Sequence, residues 1–264
     1  MRLRFEKVSF TYPSGVRALN DVNLEIGSGE MVAIVGENGA GKTTLVKLLN
    51  ALLRPGQGKV LVGDWDTADH TTAELAARVG FLFQNPDEQL FEHTVAREVA
   101  FGPRNLRLSE GTVASRVRNS LKAVNLHKQS KRSPYDLPPT DRKLLALAAT
   151  LAMDTPVLVL DEPSIGQDAA GRARLIRIFR KLNTMGHTLV LISHDLDFCA
   201  QLAGRVVVMA DGRILADGSA SEVFAQGKLL AKAAVTPPQL VRLAQALKMP
   251  ASPLTVKEFV RSYS

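Results

Sequence analysis

Residues 36–44 read Gly-Glu-Asn-Gly-Ala-Gly-Lys-Thr-Thr, and this stretch restricts the fold more than any other in the chain. Three glycines ahead of Lys-Thr let the backbone turn so that its N–H groups converge on an anion, an arrangement that works between a strand and a helix. The flanks supply both. Met31-Val32-Ala33-Ile34-Val35 is an apolar run with the length of a buried strand, and Leu45-Val46-Lys47-Leu48-Leu49 predicts an amphipathic helix. In that setting Asn38, Gly39, Ala40 and Gly41 cradle phosphates and Lys42 brings a positive charge to the β- and γ-phosphates. Thr43 offers a hydroxyl to Mg²⁺, and Thr44 continues the turn into the helix. The implied ligand is a nucleoside triphosphate with its Mg²⁺. The motif by itself leaves the reaction open.

Composition narrows the classes. A chain of 264 residues that is 45% hydrophobic can bury a large core, enough for one main domain with appendages. No segment approaches the ~20 apolar residues that span a bilayer, and the first residues lack the apolar core of a signal peptide, so a soluble, cytoplasmic protein is expected. One cysteine, Cys199, excludes an intramolecular disulfide. A net charge of +7 suits nucleic acid, an anionic membrane leaflet or an acidic partner. Its Lys and Arg are spread along the chain and no nucleic-acid motif accompanies them, so a solvated basic surface without nucleic acid is the expectation.

Short apolar strands alternate with helical stretches, the pattern of an α/β sheet with mainly parallel strands. Four predicted strands end in residues able to act on phosphates. Residues 31–35 lead to the glycine loop, 79–83 to Gln84, 157–160 to Asp161 and Glu162, and 188–192 to Ser193 and His194. Ligands of open parallel sheets lie outside the carboxyl ends of the strands, which brings the four groups to one place. There Asp161 can hold Mg²⁺, Glu162 can accept a proton from water, Gln84 can reach metal or water, and His194 can hydrogen-bond a γ-phosphate. Each also has a plainer reading. Asp-Glu-Pro after a strand can be an ordinary polar turn, and a Gln after a strand is often a loop residue.

These residues resemble a family. The loop at 36–44, Gln84, Leu160-Asp161-Glu162-Pro163, Asp168 and His194 are similar, in order and spacing, to the phosphate loop, Q-loop, Walker B, D-loop and switch histidine of ATP-binding-cassette ATPases. The resemblance covers nearly residues 1–220. It implies a P-loop NTPase core over 1–85 and 155–220, an inserted helical subdomain over 86–154, and a C-terminal helical extension over 221–264. It also implies that Tyr12, in Phe10-Thr11-Tyr12-Pro13, faces adenine, although the residue pattern reads equally as a strand or turn tyrosine.

A narrower resemblance follows from Phe83-Gln84-Asn85-Pro86-Asp87-Glu88-Gln89-Leu90-Phe91, with Val99-Ala100-Phe101-Gly102-Pro103 and Ile165-Gly166-Gln167-Asp168. It is to the energy-coupling-factor branch, which powers uptake of vitamins and transition-metal ions. The branch implies ATP hydrolysis at the cytoplasmic face of a membrane, beside an integral coupling subunit, a substrate-binding membrane subunit and a second ATPase subunit. The groove from Gln84 to Phe101 would receive a coupling helix. In the C-terminal extension Leu240, Leu243, Ala244 and Leu247 recur at helical spacing, a stripe that suits either the chain's own core or a dimer contact.

The chain departs from the family at one point. Where the family has Leu-Ser-Gly-Gly-Gln, residues 137–141 are Leu-Pro-Pro-Thr-Asp. In the family that helix start caps the γ-phosphate held by the opposite subunit. Proline has no N–H, and Asp141 repels phosphate while suiting the helix's own dipole. A heterodimer, with a partner supplying the regular sequence, is therefore favoured over a homodimer. Two other classes stay open: a cassette ATPase acting on nucleic acid or the ribosome, and a regulatory ATP-binding module with little turnover.

Overall fold

In the computed structural model, which describes residues 1–250 and 252–263, the chain begins with two strands, β1 (Leu3–Thr11) and β2 (Arg17–Ile26). The apolar strand β3 (Met31–Val35) follows, then α1 (Lys42–Lys47), β4 (Gln57–Val62), β5 (Trp65–Asp66), α2 (Thr72–Leu75) and β6 (Val79–Leu82). Residues 86–154 contain no strand and carry α3 (Val95–Asn105), α4 (Glu110–Ala123) and α5 (Pro139–Met153). The chain returns through β7 (Val157–Asp161), α6 (Ala169–Thr184), β8 (Thr188–Ile192), α7 (Leu196–Leu202), β9 (Arg205–Ala210) and β10 (Arg213–Ser219). It continues in short helices α8 (Ala220–Ala225), α9 (Gly227–Lys232), α10 (Gln239–Ala246) and α11 (Val256–Tyr263).

The strands form two sheets. Six of them run in the order β10-β9-β3-β8-β7-β6, with every pairing parallel except β9 with β10. Every residue of β3, β6, β7 and β8 is buried, as expected of parallel strands covered on both faces. Alternate residues serve opposite layers. Ala33, Val35, Leu158, Leu160, Leu189 and Leu191 join the core shared with the helices. Val32, Ile34, Val157, Val159, Val190 and Ile192 join the core shared with the second sheet. That second sheet, β2-β1-β4-β5, is antiparallel and was not expected from the residue pattern. In β1 the alternation is broken by register shifts near Lys7, which adopts φ 51°, so the period of two does not persist along the strand.

Two helices differ from expectation. The segment after the glycine loop is not amphipathic, because Leu45, Val46, Leu48 and Leu49 are all fully buried between the sheets. In the C-terminal extension, α10 packs through Val241 and Ala244, while Leu243 and Leu247 stay exposed. The apolar stripe is thus rotated from the one read at 240, 243, 244 and 247. Helix α5 forms despite its proline pair. Pro138 is its N-cap in extended conformation and Pro139 its first residue, where a missing N–H costs nothing. Among the described residues no helix is long and apolar enough to cross a membrane.

Candidate functional site

The carboxyl ends of β3, β6, β7 and β8 open on one cleft of about 740 Å³, lined among others by Tyr12, Gly36, Asn38, Gly39, Lys42, Thr43, Gln84, Asp161, Glu162 and His194. All four predicted strand ends therefore converge. Its volume falls in the range of small-ligand and cofactor sites.

The loop at 36–44 has a shape only glycine permits at two points. Gly36 has φ 153° and Gly41 φ 96°, and a Cβ would strike the Met209 carbonyl at the first and the Ala18 carbonyl at the second. Gly41 caps α1. Ala40 turns away from the cleft into the core beneath the loop, 1% exposed, so its contribution is the packing of the loop and the N–H it donates to the Glu37 carbonyl at 3.2 Å. Thr44 is also buried, and its hydroxyl shares a 2.9 Å hydrogen bond with the Tyr12 hydroxyl. That bond and an edge-on contact with Phe10, centroids 4.9 Å apart, fix the Tyr12 ring at the mouth of the cleft.

Lys42 curls back into the loop. Its Nζ donates to the carbonyl oxygens of Gly36 at 2.8 Å and Glu37 at 2.7 Å. Burial pushes the ammonium below the usual lysine range, partly opposed by Glu162 and Asp161. These are weak partners for a cation in such a site, and phosphate oxygens are better ones. Thr43 Oγ1 donates to Asp161 Oδ2 at 2.9 Å. Asp161, 2% exposed at the end of β7, has its carboxyl pushed up by burial, with the Thr43 hydrogen bond acting the other way. A hydroxyl and a carboxylate meeting at one point form an all-oxygen donor pair, which suits Mg²⁺.

Glu162 adopts φ 49°, a left-handed conformation that turns its side chain toward the end of β8. Its N–H donates to the Ile192 carbonyl at 2.8 Å. Both carboxylate oxygens are engaged. Oε1 accepts the His194 backbone N–H at 2.9 Å and lies 2.8 Å from His194 Nδ1. Oε2 accepts the Ser193 hydroxyl at 3.0 Å. The His194 side chain is 64% exposed while that of Glu162 is 8% exposed, so a buried acceptor is coupled to an imidazole at the open rim. The pair can take up and pass on a proton. Asp168 lies outside the cleft and caps α6, its Oδ1 accepting from the Gly171 N–H at 2.7 Å.

Ser193, read from the sequence only as a strand-end residue beside His194, orients the Glu162 carboxylate. One participant escaped the residue pattern: Lys143, inside α5, sends its Nζ to the carbonyls of Phe83 at 2.8 Å, Gln84 at 2.5 Å and Asp161 at 3.3 Å. Burial pushes the Lys143 ammonium down to about 8, against the opposing pull of Asp161 and Glu162. A lysine on the same helical face as Leu147 and Thr150, all buried, is a signal available in the sequence. At the start of α5, Pro138, Pro139 and Thr140 are exposed, and the Thr140 carbonyl accepts from Gln167 Nε2 at 3.2 Å.

A family model described as ABC transporter matches residues 19–165, from the second strand through the Asp161-Glu162 turn. The energy-coupling factor transporter ATP-binding protein EcfA of Methanothermobacter thermautotrophicus is 38% identical over 258 residues, covering 97% of this chain and 83% of that protein. Against two other curated relatives, both named as putative ABC transporter ATP-binding proteins, the chain spans 43% and 42% of their length. Among solved structures, cbiO1 from Clostridium perfringens, part of the ABC transporter complex cbiONQ, has a TM-score of 0.77 at 31% identity, over 93% of this chain and 98% of that one. The ATP-binding cassette MJ0796, in a dimer bound to ADP and Pi, has a TM-score of 0.76 at 26% identity, over 83% and 98%. The fold, the phosphate loop and the strand-end carboxylates all fall where these relatives match, and the chain belongs to the ABC transporter family of ATP-binding cassettes.

Proposed function

We propose that this chain is the ATP-hydrolysing subunit of an energy-coupling-factor type importer of a vitamin or transition-metal ion. It would work at the cytoplasmic face of a membrane beside a coupling subunit and a substrate-binding subunit. The observation that carries the reading is the convergence of Lys42, the Thr43–Asp161 pair and the Glu162–His194 pair in one cleft. The 38% identity to a protein named as an energy-coupling factor ATP-binding subunit supports the choice of branch.

In this reading ATP lies along the loop with its adenine toward Tyr12, and Lys42 exchanges its two loop carbonyls for β- and γ-phosphate oxygens. Mg²⁺, held by Thr43, Asp161 and Gln84, would neutralise charge that develops on the phosphates. Glu162 accepts the proton of the attacking water. His194, exposed and joined to Glu162 through one hydrogen bond of its ring, turns to the γ-phosphate and leaves Oε1 open for that proton.

The membrane partner is supported by an exposed aromatic cluster on the helical part of the chain. Phe91 and Phe101 meet edge to face at 4.7 Å while remaining 54% and 41% exposed, and Tyr135 lies nearby, with its hydroxyl on the Leu90 carbonyl at 3.1 Å. Such a patch suits the apolar face of a partner helix. Arg97, on α3 and paired with Glu92 at 3.1 Å, stands in the same segment. Arg97→Glu lowers recovery of the membrane subunit in pull-downs by roughly tenfold, equivalent to ~1.4 kcal/mol, and leaves ATP affinity unchanged. Unchanged recovery together with tight RNA or DNA binding would move the chain to the nucleic-acid class.

The second ATPase subunit is a different chain in this proposal. With Pro138 and Pro139 at the start of α5 and Asp141 in its first turn, two amide donors are absent and a negative charge is present where a partner's γ-phosphate would be capped.

A further inference from the structure

Lys143 is the one buried lysine in the helical part of the chain among the described residues, 4% exposed, and the reaction outlined above makes no use of it. An ammonium has three donors, and here all three are spent on backbone carbonyls: Phe83 and Gln84 in the loop after β6, and Asp161 at the end of β7. Three segments thus meet at one cation. Other contacts tie α5 to the same loop, namely Arg142 to Asp87 at 2.8 Å and Gln89 Nε2 to Thr150 Oγ1 at 3.2 Å, but these do not reach β7. Lys143 adds that third point. Because it holds the carbonyls of the two peptide units that flank the Gln84 Cα, it sets the planes from which the Gln84 side chain departs at the cleft. It also sits within about one turn, ~5 Å, of the exposed start of α5, so any displacement of that helix end reaches it directly.

We propose that Lys143 is a positioning residue that couples the pose of α5 to Gln84 and to the Asp161 backbone in this chain's own nucleotide site. Losing its charge frees the loop without touching the phosphate loop, so ATP is still bound but the groups that act on it are misplaced. A lysine that only fills and glues the core would instead lower stability and leave the bound nucleotide's fate unchanged.

The test uses full-length wild type, Lys143→Met, Gln84→Ala and the double variant, with hydrogen exchange read by mass spectrometry and ATP affinity read by titration. Turnover with a second cassette rests on the ATPase reading proposed above and forms a separate arm. In Lys143→Met, amides of residues 83–89 exchange at least about tenfold faster while β3 and β8 are unchanged, and ATP affinity stays within about threefold. Turnover falls about 10- to 100-fold, and in the Gln84→Ala background the same substitution adds less than about threefold, the non-additivity of residues acting through one another. Unchanged exchange at 83–89 overturns the proposal, as does full additivity with Gln84→Ala. So does a loss of melting temperature and ATP affinity with turnover per bound ATP intact. Should Lys143→Met fail to melt cooperatively, Lys143→Gln, which keeps two donors, carries the same measurements. A wild type that binds ATP but never turns over contradicts the ATPase reading, and the exchange arm still decides the role of Lys143.

Discussion

Glu162→Gln retains ATP and loses turnover by about 10²- to 10⁴-fold, the usual worth of a positioned general base. The substitution is close to isosteric, and the contacts of Glu162 tolerate it. An amide oxygen still accepts the His194 backbone N–H now at 2.9 Å from Oε1, and an amide NH₂ can donate to the Ser193 hydroxyl now at 3.0 Å from Oε2. The left-handed backbone at φ 49° is carried by the N–H bond to Ile192, which the change leaves alone. What is lost is the capacity to take a proton. With a competent second cassette the variant accumulates as an ATP-bound dimer, visible by size exclusion with nucleotide retained. Turnover near wild type would show that Glu162 is not the base.

Lys42→Ala removes the cation aimed at the phosphates and weakens ATP binding by about 2–4 kcal/mol, roughly 30- to 700-fold in Kd. The fold should survive, because among the described residues the Nζ hydrogen-bonds only the carbonyls of Gly36 and Glu37, both within the loop itself. Burial already holds the ammonium below its ordinary pKa, so its charge is under-compensated and gains most from an anionic ligand. Titration with ATP measures the effect, and an unchanged melting temperature without nucleotide separates it from unfolding. Wild-type affinity in this variant would contradict the placement of phosphates on the loop.

Much of the cleft was legible because the glycine loop, Gln84, Asp161 and His194 each end or follow a strand that is apolar almost throughout. Residues 31–35, 157–160 and 188–192 match β3, β7 and β8 within a residue, since strands covered on both faces read as unbroken apolar runs. The antiparallel sheet was hidden by the bulges in β1, and the burial of α1 by a tertiary fact, its position between two sheets. Glu162's contact with Ser193 depends on a backbone conformation that no residue type announces, since a left-handed glutamate is rare. Lys143 was obscured for another reason: a lysine near the start of a helix is usually solvated, and that expectation outweighs the signal of its shared face with Leu147 and Thr150. The C-terminal stripe was visible but its facing was not, because Val241 and Ala244 form as good an apolar edge as Leu243 and Leu247.

The proline pair at the start of α5 places the central claim within reach of one experiment. A homodimer would set Pro138, Pro139 and Asp141 against both nucleotides, whereas a heterodimer sets them against the partner's ATP and leaves this chain's ATP to be capped by a regular Leu-Ser-Gly-Gly-Gln. A single Thr140 hydroxyl on a phosphate could return about 1.5–3 kcal/mol, which makes the homodimer a real competitor. Steady-state ATPase of the purified chain, measured at rising concentration and then with a second cassette bearing the regular sequence, separates them. The account predicts negligible turnover from the chain at every concentration and recovery to roughly a few per second with the second cassette. Cooperative turnover of that size by the chain without a partner would contradict it.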